Sequence, residues 1–82
     1  MRIKVLPEAY RQIVELPIPI HRRVLGILER LARWPQVSGA KPLTGPLAGR
    51  YRIRTGDYRL QFRIEGPTLI VEKVGHRDRF YD

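Results

Sequence analysis

The sequence has no cysteine, and its two histidines, His21 and His76, stand far apart with no cluster of carboxylates beside either. Missing thiols exclude a disulfide framework, a cysteine nucleophile and a cysteine-ligated zinc, and they suit a reducing cytosol. No apolar run reaches the roughly 18 residues needed to span a bilayer, and the first residues lack the apolar core of a secretory signal. We therefore expect a soluble cytoplasmic protein with no metal, no cofactor and no membrane partner.

Acidic residues are also scarce. The 82 residues carry 16 Lys+Arg against 8 Asp+Glu, which gives a net charge of +8, and 13 of the cations are arginine. This length fits a single domain, residues 1–82, and 43% hydrophobic residues are enough for it to fold. Arginine binds phosphate through a planar fork that lysine lacks, so the excess indicates a polyanionic partner. A basic surface that is merely solvated is the alternative.

The first half of the chain predicts one strand and two helices. Arg2–Val5 alternates charged and apolar residues, which is typical of a short edge strand. Helices are predicted over about Pro7–Leu16 and Pro19–Trp34, where apolar residues recur at spacings of three and four. Gly26 inside the second helix costs about 1 kcal/mol relative to alanine, so we expect close backbone packing there. His21 falls on the polar face of this helix and is expected to be solvated.

The second half predicts a loop followed by three strands. Pro35–Gly49 is rich in glycine and proline, shows no period and is expected to be a surface loop. Two alternating runs, Arg50–Thr55 and Tyr58–Ile64, flank a Gly-Asp pair and predict a β-hairpin. Thr68–Gly75 is more continuously apolar, as in a central strand. The order β-α-α-β-β-β predicts an α+β fold, a twisted, mostly antiparallel sheet with both helices packed on one face.

Closing the hairpin on its Gly-Asp turn separates apolar from charged side chains. One face receives Tyr51, Ile53, Leu60 and Phe62, and the other receives Arg50, Arg52, Arg54, Arg59, Gln61 and Arg63. A slip of one residue would mix the two sets, so the pattern itself specifies the register. Like charges then stand opposite each other, which favours a bound anion such as phosphate. Alternatively the arginines splay into water, with Asp57, Glu65 and Glu72 as partial counter-charges.

Several short motifs resemble one protein family. Tyr51–Arg54 (YRIR), Gly56–Arg59 (GDYR) and Val74–Arg77 (VGHR) followed by Tyr81 are similar to the core signature of the RelE/ParE toxin superfamily, in its RelE branch. Pro42–Gly45 (PLTG) resembles the loop that precedes the second strand in that family. The element order agrees, so the resemblance covers nearly the whole chain. It implies a RelE-like fold and the toxin of a type II toxin–antitoxin system.

The resemblance also implies an activity and partners. RelE-branch toxins are ribosome-dependent mRNA endonucleases (mRNA interferases), which enter the ribosomal A site and inhibit translation by cutting mRNA there. The ribose 2′-OH attacks the adjacent phosphate without a metal, leaving a 2′,3′-cyclic phosphate and a 5′-OH. The implied partners are the ribosome with its rRNA, the mRNA, and a cognate acidic antitoxin that forms a hetero-oligomer with the toxin.

Carried over by motif, the catalytic residues are Arg52, Arg54, Arg59, Arg77 and Tyr81. At these matched positions we expect Arg54 and Arg59 to clamp the scissile phosphate, and Arg77 to assist the leaving 5′-oxygen or its phosphate. Tyr81 would stack on a base or hydrogen-bond the 2′-OH. Further phosphate contacts are expected from Arg50, Arg52, Arg63 and Arg79.

The identities of the general base and acid stay open. Some family members carry lysine at the second-strand positions, where this chain has guanidiniums that cannot act as bases. Others have arginine where this chain has Thr44. His76 is the one candidate for proton transfer, with a packing role as its alternative.

Two other functions share these features. A ParE-like protein would inhibit DNA gyrase without nuclease chemistry, and a simple RNA-binding module would contact phosphates without cutting. The ParE branch generally does not keep the set of arginines and the C-terminal tyrosine, so their presence favours the nuclease.

Overall fold

A computed structural model describes residues 1–80 and shows two helices beside a five-stranded sheet. In chain order the elements are β1 (Arg2–Val5), α1 (Pro7–Val14), α2 (Ile18–Leu31), β2 (Lys41–Pro42), a 3-10 turn (Gly45–Leu47), β3 (Arg50–Thr55), β4 (Tyr58–Glu65) and β5 (Thr68–His76). The strand order is β1-β5-β4-β3-β2, with β1 parallel to β5 and the other neighbours antiparallel. The predicted α+β fold is confirmed, as are the edge position of β1 and the central position of β5.

The prediction of a loop without regular structure over Pro35–Gly49 is wrong. This segment contains β2, in which Lys41 pairs with Arg52 and Pro42 with Tyr51, and the 3-10 turn. The amide of Leu43 extends the contact by donating to the carbonyl of Arg50 at 2.8 Å. A two-residue strand is too short to show a period of two, and proline is tolerated because β2 lies at the sheet edge.

The helices are slightly shorter than predicted. α1 ends at Val14, and α2 begins at Ile18 and ends at Leu31, followed by a turn in which the Trp34 amide donates to the Leu31 carbonyl at 3.0 Å. The expected close packing at Gly26 is wrong, since a Cβ built there would meet no atom within 4 Å. Gly26 lies beside the buried stripe of α2 rather than within it.

His21 is not simply solvated, which corrects the prediction for this residue. Its Nδ1 donates to the carbonyl of Ile13 at 2.9 Å, and the side chain is partly buried. Carbonyls in the last turn of a helix have no partner within that helix, so a neighbouring donor satisfies one of them. His21 therefore ties the start of α2 to the end of α1.

The core lies between the helices and one face of the sheet. Its buried side chains are Ala9, Ile13, Val24, Ile27 and Leu31 from the helices and Ile53, Leu60, Phe62, Leu69, Val71 and Val74 from the sheet. Trp34 joins it through edge-to-face contacts with Tyr51 and Phe62, at centroid distances of 4.8 and 5.2 Å. Within residues 1–80, no helix has the length and apolar character to cross a membrane.

Helix α1 also covers part of the edge of β5. Strand β1 pairs with β5 only as far as Val71, so the amides beyond that point need another acceptor. The Val74 amide donates to Oε1 of Gln12 at 2.7 Å. This hydrogen bond satisfies a partly buried donor and holds the C-terminal half of β5 in place.

Two glycine substitutions are expected to change stability in opposite directions. Gly26→Ala should raise the free energy of unfolding by about 0.4–1 kcal/mol, because alanine fits the open site and restricts the unfolded chain. Gly56→Ala should lower it by about 1–2 kcal/mol, because Gly56 has φ +59 in the hairpin turn. Urea unfolding measures both. If Gly26→Ala instead lowered the free energy of unfolding, α2 would be packed more closely at Gly26 than the open space around it indicates.

Candidate functional site

The hairpin of β3 and β4 has the predicted register at all six positions, including Arg54 opposite Arg59 and Arg50 opposite Arg63. Ile53 and Leu60 are only 2% and 1% exposed and lie on the helix side. Because side chains alternate along a strand, five guanidiniums share the opposite side. This arginine face consists of Arg50, Arg52, Arg54, Arg59 and Arg63.

A β-bulge brings one carboxylate onto the arginine face. Gln61 pairs with Lys73 while the next residue, Phe62, pairs with Val71, so Glu72 is an extra residue in β5. Oε1 of Glu72 lies 2.9 Å from Nε of Arg50, and its Oε2 lies 2.6 Å from Nη1 of Arg63. The Glu72 side chain is only 13% exposed, so both ion pairs are partly shielded from solvent.

These contacts relieve the repulsion between Arg50 and Arg63. The hydrogen bond that Arg63 donates to Glu72 is the main reason that the pKa of Arg63 is raised, and Glu65 contributes through a second, more exposed pair at 3.2 Å. Gln61 also donates to Glu72, at 3.4 Å. We call Arg50, Arg63 and Glu72 the paired end of the face. The contributions of Arg50 and Arg63 to RNA binding stay predictions.

The opposite end of the face, next to the hairpin turn, has no such carboxylate. Among residues 1–80, no aspartate or glutamate forms an ion pair with Arg54 or Arg59. The segment after β5 approaches the same end, because the Arg77 amide donates to the carbonyl of Asp57 at 2.8 Å. Nε of Arg77 lies 3.8 Å from Asp57 and 3.7 Å from Asp78, in exposed pairs that bind weakly. Arg54, Arg59 and Arg77 therefore form the turn end of the face.

Two sequence-predicted residues lie elsewhere. His76 pairs with Tyr58 across the strands, on the helix side of the sheet, and their rings meet edge to face at 5.2 Å. Its Nδ1 accepts a hydrogen bond from the Asp78 amide at 3.2 Å. Arg79 is exposed and lines the same pocket of about 320 Å³ as these two rings. The structure does not bring His76 or Arg79 to the turn end, and their functional roles stay predictions.

The C-terminal segment is held by contacts that sequence reasoning missed. Phe80 is 1% exposed and lies 3.7 Å from the position that a Gly75 Cβ would occupy. The ammonium of Lys73 lies 4.8 Å from the centre of the Phe80 ring. In the sequence, the signal for these contacts is the apolar ring of Phe80 within a mostly charged segment. The burial of Phe80 fixes the end of this segment and so helps to position Arg77. Tyr81 lies outside the described residues.

The turn end combines positive charge with guanidinium N–H donors, which are the groups that bind an oxyanion such as phosphate. Arg54 and Arg59 are partners on adjacent strands, and Arg77 follows in the segment that is joined to the hairpin turn through its amide. Within residues 1–80, no group of three or more histidine, aspartate or glutamate side chains is arranged to hold a metal.

Comparison with known proteins identifies the family. A family model described as the ParE toxin of the type II toxin–antitoxin system parDE matches residues 3–81. The toxin–antitoxin complex RelBE2 from Mycobacterium tuberculosis matches with 33% identity over 93% of this chain and 96% of that one, with a TM-score of 0.80. The RelB–RelE complex from Methanococcus jannaschii matches with 26% identity over 96% and 95%, with a TM-score of 0.82.

A curated relative, Toxin RelE3 of Methanocaldococcus jannaschii, is 47% identical over 32 residues, which are 39% of this chain and 36% of that protein. The match thus spans only about a third of that relative. The family model, in contrast, covers almost the entire chain. The superfamily resemblance is confirmed, and the chain belongs to the RelE/ParE superfamily, as the toxin of a type II toxin–antitoxin system.

Proposed function

We propose that this toxin is a ribosome-dependent mRNA endonuclease that cuts mRNA in the ribosomal A site, in the cytoplasm, and so inhibits translation. The observation that carries this proposal is the pair Arg54 and Arg59, opposed across the hairpin with no carboxylate between them in the described chain. Opposed like charges destabilise a sheet, and a bound phosphate removes the repulsion. The RelE likeness of the fold supports the same function.

In the proposed reaction, the main task of the protein is to stabilise the negative charge that develops on the phosphate and on the leaving oxygen. The ribose 2′-oxygen forms a bond to the adjacent phosphorus while the bond from phosphorus to the 5′-oxygen breaks. The 2′-OH loses a proton and the 5′-oxygen gains one. Arg54 and Arg59 hold the phosphate oxygens as negative charge builds on them, and Arg77 stabilises the leaving 5′-oxygen.

Other residues complete the proposed contact with RNA. Arg52 extends the cationic surface along β3, and Tyr81 contacts an exposed base or the 2′-OH. Arg50, Arg63 and Arg79 add electrostatic attraction to more distant phosphates. None of these residues requires a bound cofactor.

A second candidate is inhibition of DNA gyrase without nuclease chemistry. The observation in its favour is the description of the matching family model, which names ParE. Such a protein would need the fold but not Arg54 and Arg59, which have no ion pair within the described chain. These arginines therefore favour the nuclease.

An acidic antitoxin is the proposed partner of this toxin. The relatives from Mycobacterium tuberculosis and Methanococcus jannaschii were solved as complexes with their antitoxins. This chain carries a net charge of +8 and exposes large apolar side chains on its helices, namely Tyr10, Val14, Ile18 and Leu25. An antitoxin can thus cover the arginines with carboxylates, or bind beside the helices and displace the segment from Arg77 to Tyr81.

Replacing Arg59 or Arg77 with alanine should abolish toxicity and mRNA cleavage. By analogy with removing one oxyanion donor, the loss should be about 10²–10³ in rate. Brief expression in bacteria followed by mapping of 5′-OH ends on mRNA measures cleavage. Arg22→Ala is the matched control, since Arg22 is exposed on α2.

The same experiment separates the candidate functions. Cuts in phase with codons support the nuclease, whereas DNA breaks without mRNA cuts support gyrase inhibition. Full toxicity of a folded Arg59→Ala variant would show that the site is assigned wrongly.

Association with the antitoxin should be fast and should slow strongly as salt is added. Opposite charges raise the rate of encounter more than they raise the final affinity. Stopped-flow mixing with the product of the neighbouring gene, at several salt concentrations, measures the rate. An association rate that does not change with salt, or a basic partner, would reject electrostatic steering while leaving the nuclease proposal intact.

A further inference from the structure

Beside Arg52 and Arg54, toward the β2 edge of the sheet, the arginine face continues into a pocket of about 210 Å³ lined by Gly39, Lys41, Arg52 and Arg54. Three of these four residues are cations and none is an acid. Gly39, which has φ +88, contributes backbone to the lining and no side chain that carries charge. A pocket with this lining attracts an anion rather than a neutral group.

Arg52 supplies a donor that has no partner within the described chain. Its Nε is buried, and it is the only such side-chain nitrogen or oxygen among residues 1–80 that lacks a hydrogen-bond partner. Buried donors in folded proteins are nearly always satisfied, and an unsatisfied one attached to a charged group is unfavourable. An anion in the pocket would accept this hydrogen bond.

Strand β2 holds Lys41 against Arg52. The two residues are partners in the β2–β3 ladder, so their side chains share one face of the sheet. The next pair joins Pro42 to Tyr51, whose ring stacks on Phe62 with centroids 5.4 Å apart. Lys41 is therefore positioned by an aromatic contact in the core, although its own side chain is exposed.

We propose that Lys41 and Arg52 form a second phosphate subsite, which binds the backbone phosphate next to the one held by Arg54 and Arg59. This inference rests on the proposed function, because it takes a single-stranded RNA as the ligand. Arg52 and Arg54 are two positions apart on one strand, so their side chains emerge about 6.6–7 Å apart on the same face. One nucleotide of an extended RNA strand bridges such a gap.

The subsite makes Lys41 a binding residue rather than a catalytic one. Lys41→Gln should weaken RNA binding and remove one phosphate contact, which lowers the slope of log affinity against log salt by about 0.7. The maximal cleavage rate should change little, because the contact is the same before and during the reaction. Lys4→Gln is the matched control, since Lys4 is exposed on the opposite edge strand and carries the same charge.

Two measurements on the purified toxin test the subsite. In the first, inorganic phosphate is added to ¹⁵N-labelled wild-type protein, and the Nε–H signal of Arg52 is expected to shift. The shift should persist in Lys4→Gln and weaken several-fold in Lys41→Gln. In the second, a short RNA with 2′-O-methyl sugars, which cannot be cut because the 2′-oxygen has no proton to lose, is titrated against all three proteins at several salt concentrations.

The outcomes separate this inference from the proposed function. An Arg52 signal indifferent to phosphate, or equal losses of RNA affinity in the two lysine variants, would overturn the subsite. Even if a variant fails to fold, the phosphate titration of the wild-type protein still shows whether the Arg52 signal responds to an anion. If both binding measurements gave the expected results but no mRNA were cut in cells, the nuclease proposal would be rejected. The phosphate subsite would still be supported.

Discussion

The register of the β3–β4 hairpin is the constraint on which the rest of the structure depends. It places Ile53 and Leu60 in the core and, by the same alternation, sets Arg54 opposite Arg59 on the other side. Burying the apolar residues therefore requires the arginines to be aligned. Folding and phosphate binding are coupled in this way, because the core stabilises an arrangement of charges that is unfavourable without a counter-ion.

The bulge at Glu72 divides the aligned charges into two parts. At the paired end the carboxylate lies 2.9 Å from Arg50 and 2.6 Å from Arg63, so the protein supplies its own counter-charge. At the turn end Arg54 and Arg59 have no such partner among the described residues. Under the proposed function, RNA takes the place at the turn end that Glu72 takes at the paired end.

The hairpin, its register and the composition of the arginine face could be predicted from sequence, because a period of two leaves only one pairing that buries the apolar residues. Strand β2 could not, since two residues show no period, and so the position of Lys41 was missed. The β-bulge could not be predicted either, because one extra residue in β5 does not change the alternation of apolar and polar residues along β4. The buried contact of Phe80 is long-range and depends on tertiary packing.

The most direct test measures RNA binding by the wild type and by Glu72→Gln across a range of salt concentrations. Glu29→Gln is the control, because it changes the charge by the same amount on an exposed part of α2. Removing the carboxylate should free Arg50 and leave Arg63 only its exposed pair with Glu65, so that both can bind phosphate. We predict tighter binding by Glu72→Gln, with a salt slope steeper by about 0.7–1.4, since each phosphate contact on a single strand adds about 0.7. The Glu29→Gln slope should equal that of the wild type. Equal slopes for all three folded proteins would contradict the division of the arginine face by Glu72.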